Sequence, residues 1–449
     1  MNKTKTTFKC NNCSYQALKW IGCCPECNEW GSLEKIVSQS QTSLGANREK
    51  GSPTSMTPLN SIATKPKPRM LSGITEWDRV VGSGIMPSSL LILTGDPGIG
   101  KSTLLLQISH QLALNYSVYY FSTEESLHQV KERAQRLNCD NNNLLFSDQA
   151  HLETIIATAQ HEKPDLVIID SIQNCYTSNG QSLPGSIGQL REAAFQLMRL
   201  AKEDAITIIV SGHINKEGAI AGPKTLEHIV DGVFYLQGED RWQTRVLRSV
   251  KNRFGTMNEL GFFEMQETGL VEVPNINEHL LSEISHSPGS VLVSVIEGSR
   301  PLLLELQALT IESKLGIPQR VISGLDHKQV VLIAAILEKY LQIKLSTQDI
   351  FFKVSGGFKI KGSSTDLGIA LALLSSYFQQ PLPEKSIALG EISLTGQIKP
   401  INQINLFVRE AEKFGIRQLF VAHNQKIEGR SGSIRRFHNV YELLTLFSD

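Results

Sequence analysis

A glycine-rich segment between a predicted strand and a predicted helix is the part of the sequence best suited to bind phosphate. The segment follows the apolar run Leu90–Leu93 and reads Gly95-Asp96-Pro97-Gly98-Ile99-Gly100-Lys101-Ser102-Thr103. Glycines at such positions let backbone N–H groups turn inward at the positive end of a helix. Lys101 would neutralise the β- and γ-phosphate oxygens of ATP, and Ser102 would ligate Mg²⁺. The flanking strand and helix make a chance glycine-rich turn the weaker interpretation.

Two acidic positions at the ends of other predicted strands could complete a hydrolytic site. Asp170 follows the apolar run Leu166–Ile169, as expected for a carboxylate in the Mg²⁺ shell. Glu124 and Glu125 follow the strand Val118–Phe121, and we predict that Glu124 activates the attacking water. The alternative is that the two acids cap a helix beginning near Ser126, a role that suits Glu125 better.

A polar loop after the strand Ile206–Val210 contains a candidate nucleotide sensor and a candidate DNA contact. Loops at the carboxyl ends of parallel strands are where such sheets bind ligands. His213 could sense the γ-phosphate and Lys216 could meet a DNA backbone. An ordinary hydrogen-bonded loop histidine fits the sequence equally well.

A second basic segment follows a predicted strand that contains Arg245 and Arg248. It is the pentapeptide KNRFG, formed by Lys251, Asn252, Arg253, Phe254 and Gly255. Its cations could act like arginine fingers across a subunit interface, could contact DNA phosphates, or could form only a solvated basic loop. The sequence leaves these alternatives open.

The cysteines cluster near the N-terminus with the spacing of a metal site. Cys10-x-x-Cys13 and Cys24-x-x-Cys27 can converge on one zinc ion, whereas the adjacent Cys23 lacks the two-residue spacing. In a reducing compartment such clustering favours metal over disulfides. A redox pair is the alternative, but neither pair opens a helix of a βαβ unit.

Composition limits the possible partners and the location of the protein. The formal net charge of the 449 residues is zero, so any DNA contact must come from a local basic surface. No uncharged stretch approaches the ~20 residues that span a bilayer, and cysteines rather than an apolar segment follow the N-terminus. We therefore expect a cytoplasmic protein with no membrane partner.

Changes in composition and apolar pattern along the chain divide it into the segments that must position these residues. We predict a zinc-binding module at 1–36, a flexible linker at 37–68, an ATPase domain at 69–273 and a further α/β domain at 274–449. The linker is rich in Ser, Thr, Asn, Gly, Pro and Lys without apolar periodicity. Apolar strands alternate with helical patterns in the third segment, which predicts a mostly parallel sheet. Helices are predicted at Ser186–Lys202, Lys328–Gln342, Leu367–Phe378 and Asn402–Phe414.

These motifs together resemble the RadA (Sms) family of bacterial proteins. The resemblance rests on the four-cysteine module, the phosphate loop, the segment His213–Glu239, the family hallmark KNRFG and the segment Glu297–Leu309 (EGSRPLLLELQAL). It covers nearly the whole chain except the linker. It implies an α/β fold: a RecA-like P-loop ATPase core between an N-terminal zinc module and a C-terminal Lon-protease-like domain.

The resemblance also implies a function and a set of partners. Members form hexameric rings, use ATP, Mg²⁺ and Zn²⁺, bind single-stranded and branched DNA, and promote branch migration in recombination. Recombinase or replication proteins are further possible partners. By similarity to RecA-type and DnaB-type motors, the acid after the second strand is catalytic, which agrees with Glu124. A RecA-fold switch that does not translocate is an alternative, against which the zinc module and KNRFG argue.

The last third of the chain resembles the proteolytic domain of Lon but departs from it at the catalytic positions. Ser364 matches the position of the peptidase serine, which needs a lysine to accept its proton. Asn405 and Phe407 stand where Lon has lysines, and Asp366 places a negative charge where an oxyanion would develop. We expect a non-proteolytic scaffold, with Lys353, Lys359 and Lys361 as possible DNA contacts, rather than an ATP-dependent peptidase.

Overall fold

The computed structural model divides the chain into two compact units, Met1–Pro66 and Lys67–Asp449. Two of the predicted zinc ligands, Cys13 and Cys27, lie outside the described residues, as do Lys216 and most of the predicted linker. The described residues are 6–10, 16–17, 19–20, 22–25, 30–31, 33–37, 56–61, 68–178, 186–213, 226–239, 242–282, 284–314, 316–428 and 432–447.

The first unit contains a small antiparallel sheet. Its strands are β1 (Thr6–Cys10), β2 (Gln16–Ala17) and β3 (Leu33–Val37), in the order β2-β1-β3. Cys10 ends β1, and both Cys10 and Cys24 are buried. Buried thiols in so small a sheet fit a structural metal site, because few apolar side chains are available to stabilise it.

The first sheet of the second unit has nine strands in the order β12-β11-β10-β9-β4-β8-β7-β5-β6. Strands β4 to β9 run parallel, and β10 to β12 continue the sheet antiparallel. The strands are β4 (Leu90–Gly95), β5 (Val118–Ser122), β6 (Leu144–Ser147), β7 (Leu166–Asp170), β8 (Thr207–His213), β9 (Gly232–Glu239), β10 (Trp242–Asn252), β11 (Leu260–Gln266) and β12 (Gly269–Glu272).

Helices cover both faces of this sheet, which explains why its parallel strands read as continuous apolar runs. One face packs against Trp77 and Leu105, and the other packs against Ile155 and Leu197. The helices are α1 (Thr75–Val81), α2 (Lys101–Leu112), α3 (Leu127–Arg136), α4 (Leu152–Glu162) and α5 (Ile187–Glu203).

A second, seven-stranded sheet forms the C-terminal part of the same unit, in the order β15-β16-β14-β13-β17-β20-β21. Its strands are β13 (Ser290–Glu297), β14 (Arg300–Glu312), β15 (Arg320–Ser323), β16 (Gln348–Val354), β17 (Ser386–Leu389), β20 (Gln418–Ala422) and β21 (Ser433–Phe437), and β18 (Glu391–Ile392) pairs separately with β19 (Ile398–Lys399). The helices are α6 (Ile276–Ser282), α7 (His327–Leu341), α8 (Asp366–Phe378) and α9 (Ile404–Lys413).

Helix α8 is the central helix of this second domain. It is apolar on all sides and buried from Asp366 to Ser376, as expected for a core helix. A Cβ on Gly368 would lie 2.2 Å from Cγ1 of Val293, so only glycine permits this approach of helix to sheet. The four helices predicted from the sequence are confirmed, with ends that differ by at most two residues.

The two sheets share a hydrophobic core. Val246, Leu260 and Phe262 of the first sheet pack in one cluster with Leu304 and Phe352 of the second. The C-terminal domain therefore rests on the antiparallel strands β10 and β11. In the described part of the chain, no helix is both long and apolar enough to cross a membrane.

Candidate functional site

The glycine-rich loop lies between the end of β4 and the first turn of α2. A Cβ on Gly95 would lie 2.2 Å from the carbonyl oxygen of Leu236, and Gly98 has a φ of +76°, so both positions require glycine. Residues 96–100 form the turn, and Ser102 and Thr103 lie in the first turn of the helix. The first N–H groups of an α-helix have no acceptor within the helix, and their direction at this helix end suits the phosphates of a nucleotide.

Lys101 is folded over the inside of this loop. Its side chain is buried, and Nζ donates hydrogen bonds of 2.9 Å to the carbonyl oxygens of Gly95 and Asp96. Burial lowers the pKa of Lys101, while the charges of Asp170, Glu124 and Asp96 act to raise it. The ammonium group is therefore placed between the loop and both predicted acids.

Asp170 ends β7, and its two carboxylate oxygens are held by neighbouring strands. Tyr120 donates a hydrogen bond of 2.7 Å to Oδ2, and Ser211 donates one to Oδ1. Burial is the main cause of the strongly raised pKa of Tyr120, which keeps its hydroxyl protonated as a donor. Neither Tyr120 nor Ser211 is identified as a site residue by the sequence.

Glu124 lies in the turn after β5, which is tied to the turn after β7. The N–H of Thr123 donates to the carbonyl oxygen of Asp170 at 2.9 Å, and Oγ1 of Thr123 donates to the carbonyl oxygen of Ser171 at 2.7 Å. Ser171 in turn donates its hydroxyl hydrogen to Glu124. These contacts place Glu124, an exposed side chain, beside Asp170, where it can reach a water molecule.

The neighbouring acid, Glu125, has a structural role that differs from the expected one. Ser126, rather than either acid, caps α3, through a capping box with Gln129. Glu125 instead accepts a hydrogen bond from Arg133 in an ion pair. The two adjacent glutamates therefore have separate roles.

The two segments predicted as sensors or DNA contacts lie at opposite ends of the strands of the nine-stranded sheet. The backbone of His213 ends β8 beside Gly95 of the phosphate loop. KNRFG ends β10, where Asn252 pairs with Gly232, and Gly232 pairs with Leu91 near the start of β4. The segment is thus about 13 Å along the strand from the phosphate loop of its own chain.

The charged residues of KNRFG are held by contacts within the chain. Nζ of Lys251 donates to the carbonyl oxygens of Glu227 and Val230, and burial lowers its pKa. Arg253, which is half-exposed, pairs with Asp231 at 3.2 Å. Lys202 pairs with the same carboxylate at 2.7 Å.

The other three residues of the motif fix its backbone. The side chain of Asn252 accepts a hydrogen bond of 2.9 Å from the N–H of Phe254. Arg69 donates one of 2.7 Å to the carbonyl oxygen of Phe254. A Cβ on Gly255 would lie 2.8 Å from Cα of Gly82, so the glycine permits this close contact.

The structure also describes the C-terminal positions that the sequence matches to the Lon active site. Ser364 lies in the short helical turn before α8, while Phe407 is buried in an apolar cluster with Leu303 and is unsuited to accept a proton. Asp366 accepts hydrogen bonds from Gln329 at 2.7 Å and from the N–H of Ile392 at 3.1 Å. Burial raises the pKa of Asp366 to about 6.

Fold and site together define a RecA-like P-loop ATPase with an N-terminal zinc ribbon and a Lon-like C-terminal domain. Three family models match: an AAA domain at residues 69–219, subunit ChlI of Mg-chelatase at 311–425 and a rubredoxin metal binding domain at 8–35. The DNA repair protein RadA of Listeria monocytogenes is 43% identical over 94% of this chain and 93% of its own length, and RadA of Bacillus subtilis is 42% identical over the same shares. The chain belongs to the RadA family of DNA repair proteins.

A solved structure also matches part of the chain. The flagellar accessory protein FlaH from Methanocaldococcus jannaschii is 19% identical, with a TM-score of 0.37 over 46% of this chain and 98% of FlaH.

Proposed function

We propose that this protein is a cytoplasmic, DNA-stimulated ATP hydrolase that promotes branch migration of recombination intermediates on single-stranded or branched DNA as a hexameric ring. Recombinase or replication proteins would be its partners on that DNA. One observation carries the proposal: Lys101, Asp170 and Glu124 converge beside a phosphate loop, in a chain with RadA relatives along 94% of its length.

Each residue of the site has a distinct task in hydrolysis. Residues 95–103 would hold the phosphates, and Ser102 and Asp170 would hold Mg²⁺, which supplies positive charge to the transferring phosphoryl group. Tyr120 and Ser211 keep the Asp170 carboxylate oriented. Glu124 would orient the attacking water and accept its proton, because of the two predicted acids, Asp170 and Glu124, it is the one exposed to solvent.

The expected DNA dependence can be measured directly. We expect single-stranded DNA to raise ATP turnover several-fold, and we expect this stimulation to fall between about 50 and 200 mM salt because phosphate contacts release counterions. The measurement is steady-state ATP turnover with and without a homopolymeric single strand across that salt range. Equal turnover with and without DNA at every salt concentration would favour a nucleotide switch and contradict the motor.

Lys251 and Arg253 would act on the ATP of a neighbouring subunit rather than on that of their own chain. Support comes from their position at the ends of the strands opposite the phosphate loop of their own chain. The phosphates that they could reach are therefore those of an ATP bound to a second subunit or those of DNA. A ring with head-to-tail contacts would bring one end of a subunit against the other end of the next. Arg253 would then stabilise the charge that develops on the phosphoryl group.

Mixed rings test whether Arg253 acts between subunits. Arg253→Ala and Lys101→Ala chains should each be inactive alone. An equal mixture should recover about a quarter of the wild-type turnover, because about a quarter of random head-to-tail contacts pair an intact phosphate loop with an intact Arg253. The matched control is a mixture of Lys101→Ala with Glu124→Gln chains, whose defects lie in the same site and cannot complement. No recovery in the first mixture would place Arg253 outside the neighbour's site.

The C-terminal domain would serve as an assembly scaffold without peptidase activity. Phe407 is buried among apolar side chains, and the carboxyl group of Asp366 occupies the N–H of Ile392 near the position of Ser364. A serine without a neighbouring base is a weak nucleophile at neutral pH. The N-terminal module would hold zinc through Cys10, Cys13, Cys24 and Cys27.

A further inference from the structure

The turn between β13 and β14 belongs to the C-terminal sheet, but its side chains contact the ATPase sheet. We call its residues, Glu297 to Arg300, the docking tip. The N–H and the hydroxyl group of Ser299 donate hydrogen bonds of 3.0 and 2.8 Å to the carboxylate of Glu259, which is buried. A Cβ on Gly298 would lie 2.6 Å from Cα of Glu259, so the two backbones touch.

Arg300 extends this contact into the interior. Its guanidinium group lies 2.7 Å from the carboxylate of Glu76 and donates 2.8 Å to the carbonyl oxygen of Pro274. The same group lies 5.3 Å from the ring centroid of Phe262, whose N–H also donates to Glu76. The side chain of Arg300 is 12% exposed and that of Glu76 only 1%, so the pair depends on both partners.

One contact of the docking tip fixes the far end of the turn that begins with KNRFG. That turn joins β10 to β11, and Glu259 is its last residue, directly before the start of β11. The carbonyl oxygen of Glu259 accepts a hydrogen bond of 3.0 Å from the N–H of Ser249. Ser299 therefore holds the residue that closes the turn.

The other contact reaches the near end of the turn through the short helix α1. Glu76 lies in the first turn of α1, and the carbonyl oxygen of Val80 near its end accepts a hydrogen bond of 3.4 Å from Asn252 of KNRFG. Gly82, which ends α1, packs directly against Gly255. The docking tip therefore contacts one end of the turn directly and reaches the other end through α1.

We propose that the docking tip holds the KNRFG turn in the position required for hydrolysis at the neighbouring subunit, with Ser299 and Arg300 as positioning residues. This inference rests on the proposed action of Arg253 on the neighbour's ATP. A loosened turn lowers the catalytic rate, because small displacements of a catalytic group slow a reaction strongly. It changes ATP affinity little, because Arg253 acts on the charge that develops during hydrolysis, whereas residues 95–103 hold the bound nucleotide.

The test compares Arg300→Met and Ser299→Ala with the control Arg435→Met, whose exposed side chain donates within the C-terminal domain to Thr445. We expect DNA-stimulated kcat to fall at least about tenfold in Arg300→Met and less in Ser299→Ala, with the KM for ATP within about twofold of wild type. Arg300→Lys should recover part of the rate by restoring the charge opposite Glu76. Arg435→Met should behave as wild type.

A double variant separates a positioning role from a loss of folding. Glu76→Gln with Arg300→Met removes both buried charges of the pair, while Arg79, which lies 3.6 Å from Glu76, is partly exposed and remains solvated. The double variant should still show the lowered kcat together with faster amide hydrogen exchange at residues 253–258. Wild-type kcat and exchange in this double variant would overturn the inference. Arg253→Ala is measured in parallel: full DNA-stimulated turnover in that variant would contradict the proposed function of the turn itself.

Discussion

Lys101→Ala should reduce ATP turnover by about a hundredfold to a thousandfold, the usual cost of removing one preorganised group that stabilises transition-state charge. The ammonium group lies inside the loop, between the backbone of Gly95 and the acids Asp170 and Glu124. Arg245 also reaches this loop, where it donates a hydrogen bond to the carbonyl oxygen of Ile99. Steady-state turnover with saturating ATP and Mg²⁺ measures the effect.

A matched control distinguishes this loss from a general effect of removing a lysine. Lys131→Ala removes an exposed lysine from α3 of the same domain, and it should retain wild-type turnover. Lys101→Ala removes the cost of desolvating a buried cation, but it also removes two hydrogen bonds to backbone carbonyl oxygens. Because these effects oppose each other, the melting temperature of Lys101→Ala should stay close to that of wild type, so that the expected loss of turnover is not a loss of folding. Wild-type turnover in Lys101→Ala would remove the loop from the reaction.

The sequence predicts the main groups of the site because each one follows a recognisable strand. Asp170 comes directly after an apolar run and Glu124 comes two residues after the strand Val118–Ser122, and the carboxyl ends of parallel strands meet at one edge of a sheet. The groups that orient Asp170 were missed. Tyr120 and Ser211 lie on other strands, and only the pairing of β5, β7 and β8 brings them together. Strand register cannot be read from a single sequence.

The place of KNRFG could not be predicted for a related reason. Strand β9 runs parallel to β4, and β10 returns antiparallel. The motif at the end of β10 therefore lies at the ends of the strands opposite the phosphate loop. The strand pattern gives the existence of β10 but not its direction. Likewise, EGSR marks a family resemblance in the sequence, while its contacts with Glu76 and Glu259 depend on the packing of two sheets.

Glu124→Gln should bind ATP with nearly wild-type affinity but hydrolyse it at least about a hundredfold more slowly, since a positioned general base contributes that much or more. Glutamine keeps the size of the side chain and can still accept a hydrogen bond from Ser171. It cannot accept the proton of the attacking water. Single-turnover hydrolysis, with binding of a fluorescent ATP analogue measured separately, gives the two quantities.

The adjacent acid provides the control, because Glu125 and Glu124 differ in surroundings rather than in chemistry. Glu125 is paired with Arg133, so Glu125→Gln removes an ion pair that stabilises α3 and leaves the site intact. We expect a small loss of thermal stability, of about 1 kcal/mol or less for a partly exposed pair, and nearly wild-type hydrolysis. If Glu125→Gln abolished hydrolysis while Glu124→Gln preserved it, the two acids would have exchanged roles. Equal, modest losses in both variants would mean that water is activated by a group other than these two.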